Sequence, residues 1–104
     1  MSIILNTTFH LDSALTEEFL GWVRSRYLPS ALASGLLHTP SISRLMVQVA
    51  EGADGFAVQL KADSSTAASQ WHDGEGDRLR RELSSNFGDR MVFFTTLMEE
   101  LPVE

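Results

Sequence analysis

The 104-residue chain predicts an α+β fold: a four-stranded antiparallel sheet with two helices on one of its faces. Three observations carry that prediction. Apolar and polar residues alternate with a period of two in the first and third segments, apolar residues recur at helical spacing in two long stretches, and glycine-rich turns separate the pieces. The resulting order is strand, helix, strand, strand, helix, strand.

The first strand covers residues 2–11, where Ile3, Leu5, Phe9 and Leu11 alternate with Asn6, Thr8 and His10. Asp12 or Ser13 then caps a helix over 13–28. Its apolar positions Leu15, Phe19, Trp22, Val23 and Tyr27 lie opposite Glu17, Glu18 and Arg24. Pro29 restricts Leu28 and ends or kinks this helix, after which Ser30 to Ser34 add one turn before Gly35 stops it.

Branched residues from Ile42 to Val49 predict a second strand over 41–50, and Glu51-Gly52-Ala53-Asp54-Gly55 supplies a hairpin connection. The third strand, 55–62, sets Phe56, Val58 and Leu60 against Ala57, Gln59 and Lys61. Asp63 or Ser64 caps a second helix over 64–86, which carries Ala68, Trp71, Leu79, Leu83 and Phe87. Gly74 and Gly76 each cost about 1 kcal/mol against alanine, so a kink or short break is expected near Asp73 to Asp77.

The last strand, 90–99, follows the turn Phe87-Gly88-Asp89-Arg90 and is apolar at both parities, with Met91, Phe93 and Leu97 against Val92, Phe94 and Met98. This order is the ferredoxin-like split arrangement, in which the first and third strands pair centrally and one sheet face lies bare. The cheapest cover for the bare face is the same face of a second copy. A homodimer through sheet-to-sheet packing, a dimeric α/β barrel, is the expected assembly.

Length fits one domain over 1–104, and 43% hydrophobic with 21% charged residues is the composition of a soluble globule. A net charge of -6 without any basic run argues against nucleic acid as a partner. The absence of cysteine removes disulfides, thiolate catalysis and zinc-thiolate sites. Neither a basic leader nor a long apolar span is visible, so no membrane partner is expected and the cytoplasm is the default location.

No motif supplies a nucleophile or a metal, and no cofactor is expected. His10, His38 and His72 stand on different elements, without a second ligand at metal spacing. The run Asp77, Arg78, Arg80, Arg81 and Glu82 suggests an anion site at first sight, but Asp77 with Arg81 and Arg78 with Glu82 are i,i+4 pairs that lace a solvated helix face. One constellation stands out. Asn6, Thr8 and His10 share a side of a central strand, Gln59 lies on its neighbour, and Tyr27 and Trp71 offer aromatic walls. Together they suggest a small organic-ligand pocket between sheet and helices that reaches Trp71. A polar cluster holding ordered water, or a rim at the barrel mouth, is the plainer alternative.

Ile3 to Phe9, Trp22, the Leu28-Pro29 step, Ser34-Gly35, the Gln59-bearing strand, and Phe87-Gly88-Asp89-Arg90 leading into Thr96-Leu97-Met98-Glu99 together carry a resemblance over nearly the whole chain. It resembles a small bacterial family of unknown function in the dimeric α/β-barrel superfamily, although Tyr27 stands where that pattern would place histidine. The resemblance implies a ferredoxin-like fold and a homodimer, with no established substrate. Asn6 and Trp71 are similar in placement to residues of haem-degrading members of the superfamily. Arg80 and Arg81 occupy the neighbourhood of the iron-ligating histidine, and arginine has no lone pair to give.

Two function classes follow. The first is a non-enzymatic homodimeric small-molecule-binding or accessory module. The second is a cofactor-independent monooxygenase or isomerase, with His10 or His72 as base and Asn6 as polar stabiliser.

Overall fold

The computed structural model describes residues 2–48 and 50–104. Strands β1 (Ile3–Asp12), β2 (His38–Arg44), β3 (Ala53–Ala62) and β4 (Met91–Glu99) form one antiparallel sheet in the order β2-β3-β1-β4. Between β1 and β2 run a short 3-10 turn, Ser13–Leu15, then α1 (Thr16–Trp22), a π-turn at Val23–Tyr27, and α2 (Leu28–Ala33). Between β3 and β4 run α3 (Ser65–Trp71), a π-turn at His72–Gly76, and α4 (Asp77–Phe87). The fold is the ferredoxin-like α+β arrangement. No helix is long and apolar enough to cross a membrane among the described residues.

The pleat of β1 sorts its residues. Leu5, Thr7, Phe9 and Leu11 are buried toward the helices, and their cross-strand partners Leu60, Val58 and Phe56 on β3 and Leu97, Thr95, Phe93 and Met91 on β4 share that face. The core there is aromatic: Phe9 lies 4.8 Å from Phe19 and 5.7 Å from Phe93, and Phe19 lies 5.5 Å from Phe56. Local signals start both helical stretches. Asp12 accepts the Ala14 N–H at 2.9 Å, and Ser64 accepts the Ala67 N–H at 3.1 Å.

Neither helical stretch is interrupted; each carries a π-turn, the second of them where sequence suggested a kink or short break. Buried Leu15, Phe19, Val23, Tyr27 and Ala31 are each four residues apart, and every such step overshoots an ideal α-helical stripe by about 40°. A π-turn widens one turn by a residue and returns the stripe to the sheet. The Leu28 N–H reaches back to the Val23 carbonyl, and Pro29, which has no N–H to place, enters the first turn of α2 without ending the helix. In the second stretch the expected break near Asp73 to Asp77 is likewise a π-turn. Buried Gly76 makes room there: a Cβ on it would lie 2.8 Å from Trp71 Cζ3 and 2.9 Å from Arg80 Nη1.

The second strand is also displaced from its expected span of 41–50. It begins at His38 and stops at Arg44, with Met46 and Val47 exposed beyond it; Val49 lies outside the described residues. As an edge strand β2 tolerates Pro40, with Thr39 in a left-handed conformation (φ 52°) and a register shift between His38 and Ser41.

Polar ties hold the elements in place. Thr16 donates to Asp54 at 2.6 Å, and Arg44 pairs with the same carboxylate at 3.3 Å. Glu82 receives Arg26 at 2.7 Å and the Trp22 indole N–H at 3.2 Å, joining the two helical stretches.

Two substitutions separate the glycines of the second π-turn. A methyl group added at Gly74 would meet open space, so Gly74→Ala should stabilise the fold by up to about 1 kcal/mol. Gly76→Ala gains the same propensity but must displace Arg80 and Trp71, and should destabilise it by about 1–3 kcal/mol. Urea unfolding midpoints with unchanged slopes would show both.

The Thr16 hydroxyl, and then Arg44, hold the Asp54 carboxyl below its ordinary value of 3.8. A group lowered in the folded state stabilises above its unfolded pKa and loses that contribution as pH falls through the folded value. Asp54→Asn should therefore lower the urea midpoint near neutrality, and the gap from the natural chain should close as pH falls below the ordinary value of 3.8. A gap independent of pH would disprove the assignment.

Candidate functional site

The face of the sheet turned away from the helices carries the even-numbered residues of β1, namely Ile4, Asn6, Thr8 and His10. Asn6 is 9% exposed and Thr8 8%, although no helix covers them. Their neighbours cover them instead: the Asn6 amide donates to Thr8 Oγ1 at 3.1 Å, and Gln59 Nε2, directly across on β3, donates to Asn6 Oδ1 at 3.2 Å. The result is a polar ladder along the middle of the sheet. Thr8 O–H, Gln59 Oε1 and the second N–H of each amide still have bonding capacity for a further group.

His10 stands at the end of the ladder, stacked on Phe94 at a ring separation of 6.5 Å, and its ring nitrogens make no hydrogen bond among the described residues. Gly55 is opposite it, where a Cβ would approach His10 Nδ1 to 3.2 Å and Leu45 Cδ1 to 2.7 Å. Beside the ladder β4 lays down an apolar strip, with Val92 and Phe94 60% and 55% exposed and Met98 further along. The opposite margin is polar, with Ser41 and Ser43 of β2 and Lys61 of β3, which pairs with Glu100 at 3.3 Å. An uncharged hydrogen-bonding strip next to an apolar one suits a flat organic molecule or a second apolar surface.

Tyr27 and Trp71 do not join this group. Trp71 meets Tyr27 edge-on at 5.3 Å, and the Tyr27 hydroxyl lies 3.5 Å from Thr7 Oγ1, which is 3.0 Å from Thr95 Oγ1. Thr7 and Asn6 are consecutive on a strand, so their side chains leave opposite faces. The sheet therefore lies between Asn6 and Trp71, and the single pocket expected to contain both is corrected to two separate groups. Asn6, Thr8, His10 and Gln59 share the uncovered face; Tyr27 and Trp71 are core.

The remaining polar candidates also sort by geometry. His38 sits 3.1 Å from Asp63 and His72 3.0 Å from Asp73, one carboxylate each. Among the described residues no three histidine or carboxylate side chains gather into a metal-holding group. Arg81 pairs with Asp77 at 2.9 Å as the spacing indicated, whereas Arg78 pairs with Glu75 rather than Glu82. Arg80 departs furthest from its solvated reading, because it is buried and donates through Nη2 to the His72 carbonyl at 2.7 Å. The signal that marks it is Gly76, one α-helical turn earlier, which leaves the space the guanidinium fills.

Comparison with known proteins gives family and fold. No curated protein matches the sequence. Among solved structures the chain is similar to an ethd family protein from Bacillus halodurans (TM-score 0.69, 14% identity, covering 97% of this chain and 100% of that one). It is also similar to HapK from Hahella chejuensis (TM-score 0.67, 14% identity, 100% and 96% covered). A dimeric ferredoxin-like protein from an uncultured marine organism aligns with a TM-score of 0.59 at 12% identity, covering 93% and 92%. At these identities the likeness is one of fold. The family DUF4286, described as a domain of unknown function, matches residues 2–101. Matched over nearly its whole length, the chain belongs to the DUF4286 family.

Proposed function

We propose that this chain is a non-enzymatic homodimeric module, one domain over 1–104, that packs sheet against sheet as a dimeric α/β barrel and holds a small organic molecule or partner at the Asn6, Thr8, His10 and Gln59 strip. The observation that carries the reading is the make-up of the uncovered face, where Val92 and Phe94 stand exposed beside a hydrogen-bonded polar ladder. Four strands of 7 to 10 residues at ~3.3 Å per residue, set ~4.8 Å apart, span roughly 600 Å² in projection. That projection is of the order of the ~800 Å² per partner of a standard interface. If half of about 1,600 Å² is apolar, burial at about 25 cal/mol per Å² returns roughly 20 kcal/mol, above the ~4–15 kcal/mol cost of association.

Charge does not oppose the pairing. The chain carries -6 overall, yet the middle of this face holds no carboxylate among the described residues. The likeness to a dimeric ferredoxin-like protein supports the same assembly at the level of fold. The reading places the dimer in the bacterial cytoplasm, without nucleic-acid or membrane partners. A second reading, a cofactor-independent monooxygenase or isomerase, draws on one observation: among the described residues the ring nitrogens of His10 make no hydrogen bond, and a general base needs such a nitrogen.

Sedimentation equilibrium at micromolar concentration should give a mass near twice 11.5 kDa, and Phe94→Asp should yield monomer or aggregate. A well-folded wild-type monomer would sink the assembly. Native mass spectrometry of the purified dimer should detect a bound organic mass that Asn6→Leu loses while circular dichroism stays unchanged. A dimer that carries no added mass would leave only the accessory role. Turnover that disappears in His10→Ala would instead select the enzyme.

A further inference from the structure

Arg80 is a cation only 5% exposed, and no carboxylate pairs with it among the described residues. The nearby acids are engaged elsewhere: Glu75 by Arg78 and Ser30, Asp77 by Arg81, and Glu82 by Arg26 and Trp22. Arg80 Nη1 has no acceptor, and the indole Nε1 of Trp71, 2% exposed, has none either. Burying a donor without an acceptor is costly, and burying an uncompensated charge is costlier. Both residues adjoin the His72–Gly76 π-turn, whose buried Gly76 lies against the Arg80 guanidinium and the Trp71 ring.

We propose that Arg80, with Trp71 beside it, forms a binding site for a small carboxylate at the His72–Gly76 π-turn. A carboxylate brings one negative charge to one guanidinium and offers oxygen acceptors to a charged N–H. A water molecule would satisfy the hydrogen bond and leave the charge uncompensated. A doubly charged phosphate is opposed by Asp73 and Glu75 within the turn, by Asp77 next to it, and by the net charge of -6. The turn itself carries Gly74, exposed and without a side chain, and part-exposed His72, whose carbonyl Arg80 Nη2 reaches. This site is on the helix side of the sheet and does not depend on the dimer or on the ligand of the opposite face.

Sodium acetate, chloride and phosphate, titrated separately at constant ionic strength into the 15N-labelled full chain, test the proposal through the indole N–H resonance of Trp71, identified by its persistence in Trp22→Phe. Acetate should shift that resonance saturably, and chloride and phosphate should bind about tenfold more weakly or not at all. The acetate response should be lost in Arg80→Met and weakened in Arg80→Lys. An unmoved resonance, equal responses to the three anions, or a full acetate response in Arg80→Met overturns the proposal. Should Arg80→Met fail to fold, the comparison of anions on the natural chain decides the matter alone.

Discussion

The strict alternation of β1 is the constraint on which the rest of this structure depends. As a central strand it is paired on both edges, so each of its side chains fixes the character of a row three strands wide. Leu5 lies between Leu60 and Leu97, and Phe9 between Phe56 and Phe93; these rows make the core. Asn6 lies between Gln59 and Thr96, and Thr8 between Ala57 and Phe94; these rows make the uncovered face. A slip of one residue would put Asn6 and His10 beneath the helices and Phe9 in water, at a cost no local interaction could offset. Register, core and candidate site are thus one decision.

The helices answer to the same strand. Their buried side chains must stay over the sheet for several turns, and ideal α-helical geometry does not keep four-residue steps in line. A π-turn in each helical stretch restores the alignment and brings Tyr27 and Trp71 into edge contact. The correction has a local consequence in the second stretch. Gly76 faces inward, and the long side chain of Arg80 folds back into the space a larger residue would fill. A charge thereby enters the core while every neighbouring acid is committed to another partner.

The fold was legible because periodicity and turn chemistry agreed at every level, from the alternation of Ile3 to Leu11 to the caps at Asp12 and Ser64. Four features were not legible, each for a physical reason. Proline and glycine read as helix breakers at Pro29 and Gly76, since their local costs are visible in sequence and the tertiary gain from a π-turn is not. The edge strand β2 began before Pro40 because a strand paired on one side needs fewer N–H donors than propensity assumes. The site was half legible. Asn6, Thr8, His10 and Gln59 follow from parity and pairing, and the uncovered face does gather them. Tyr27 and Trp71 were set beside them because helical and strand periodicity each identify a core-facing side, while the parity of Asn6 places it on the other side of the sheet. Arg80 was hidden by its company, since Arg78 and Arg81, one on each side in the same acidic and basic run, do lie in solvent.

A two-faced central strand with helices on one side leaves a face that no helix covers among the described residues, and in the proposed assembly a second copy covers it. Isotope-filtered NMR on an equimolar mixture of 13C-labelled and unlabelled chain reads that contact directly. A sheet-to-sheet dimer should give intermolecular NOEs among Ile4, Val92, Phe94 and Met98 and none from the outward surfaces of α1 and α4. A monomer, or intermolecular contacts confined to the helices, would contradict it.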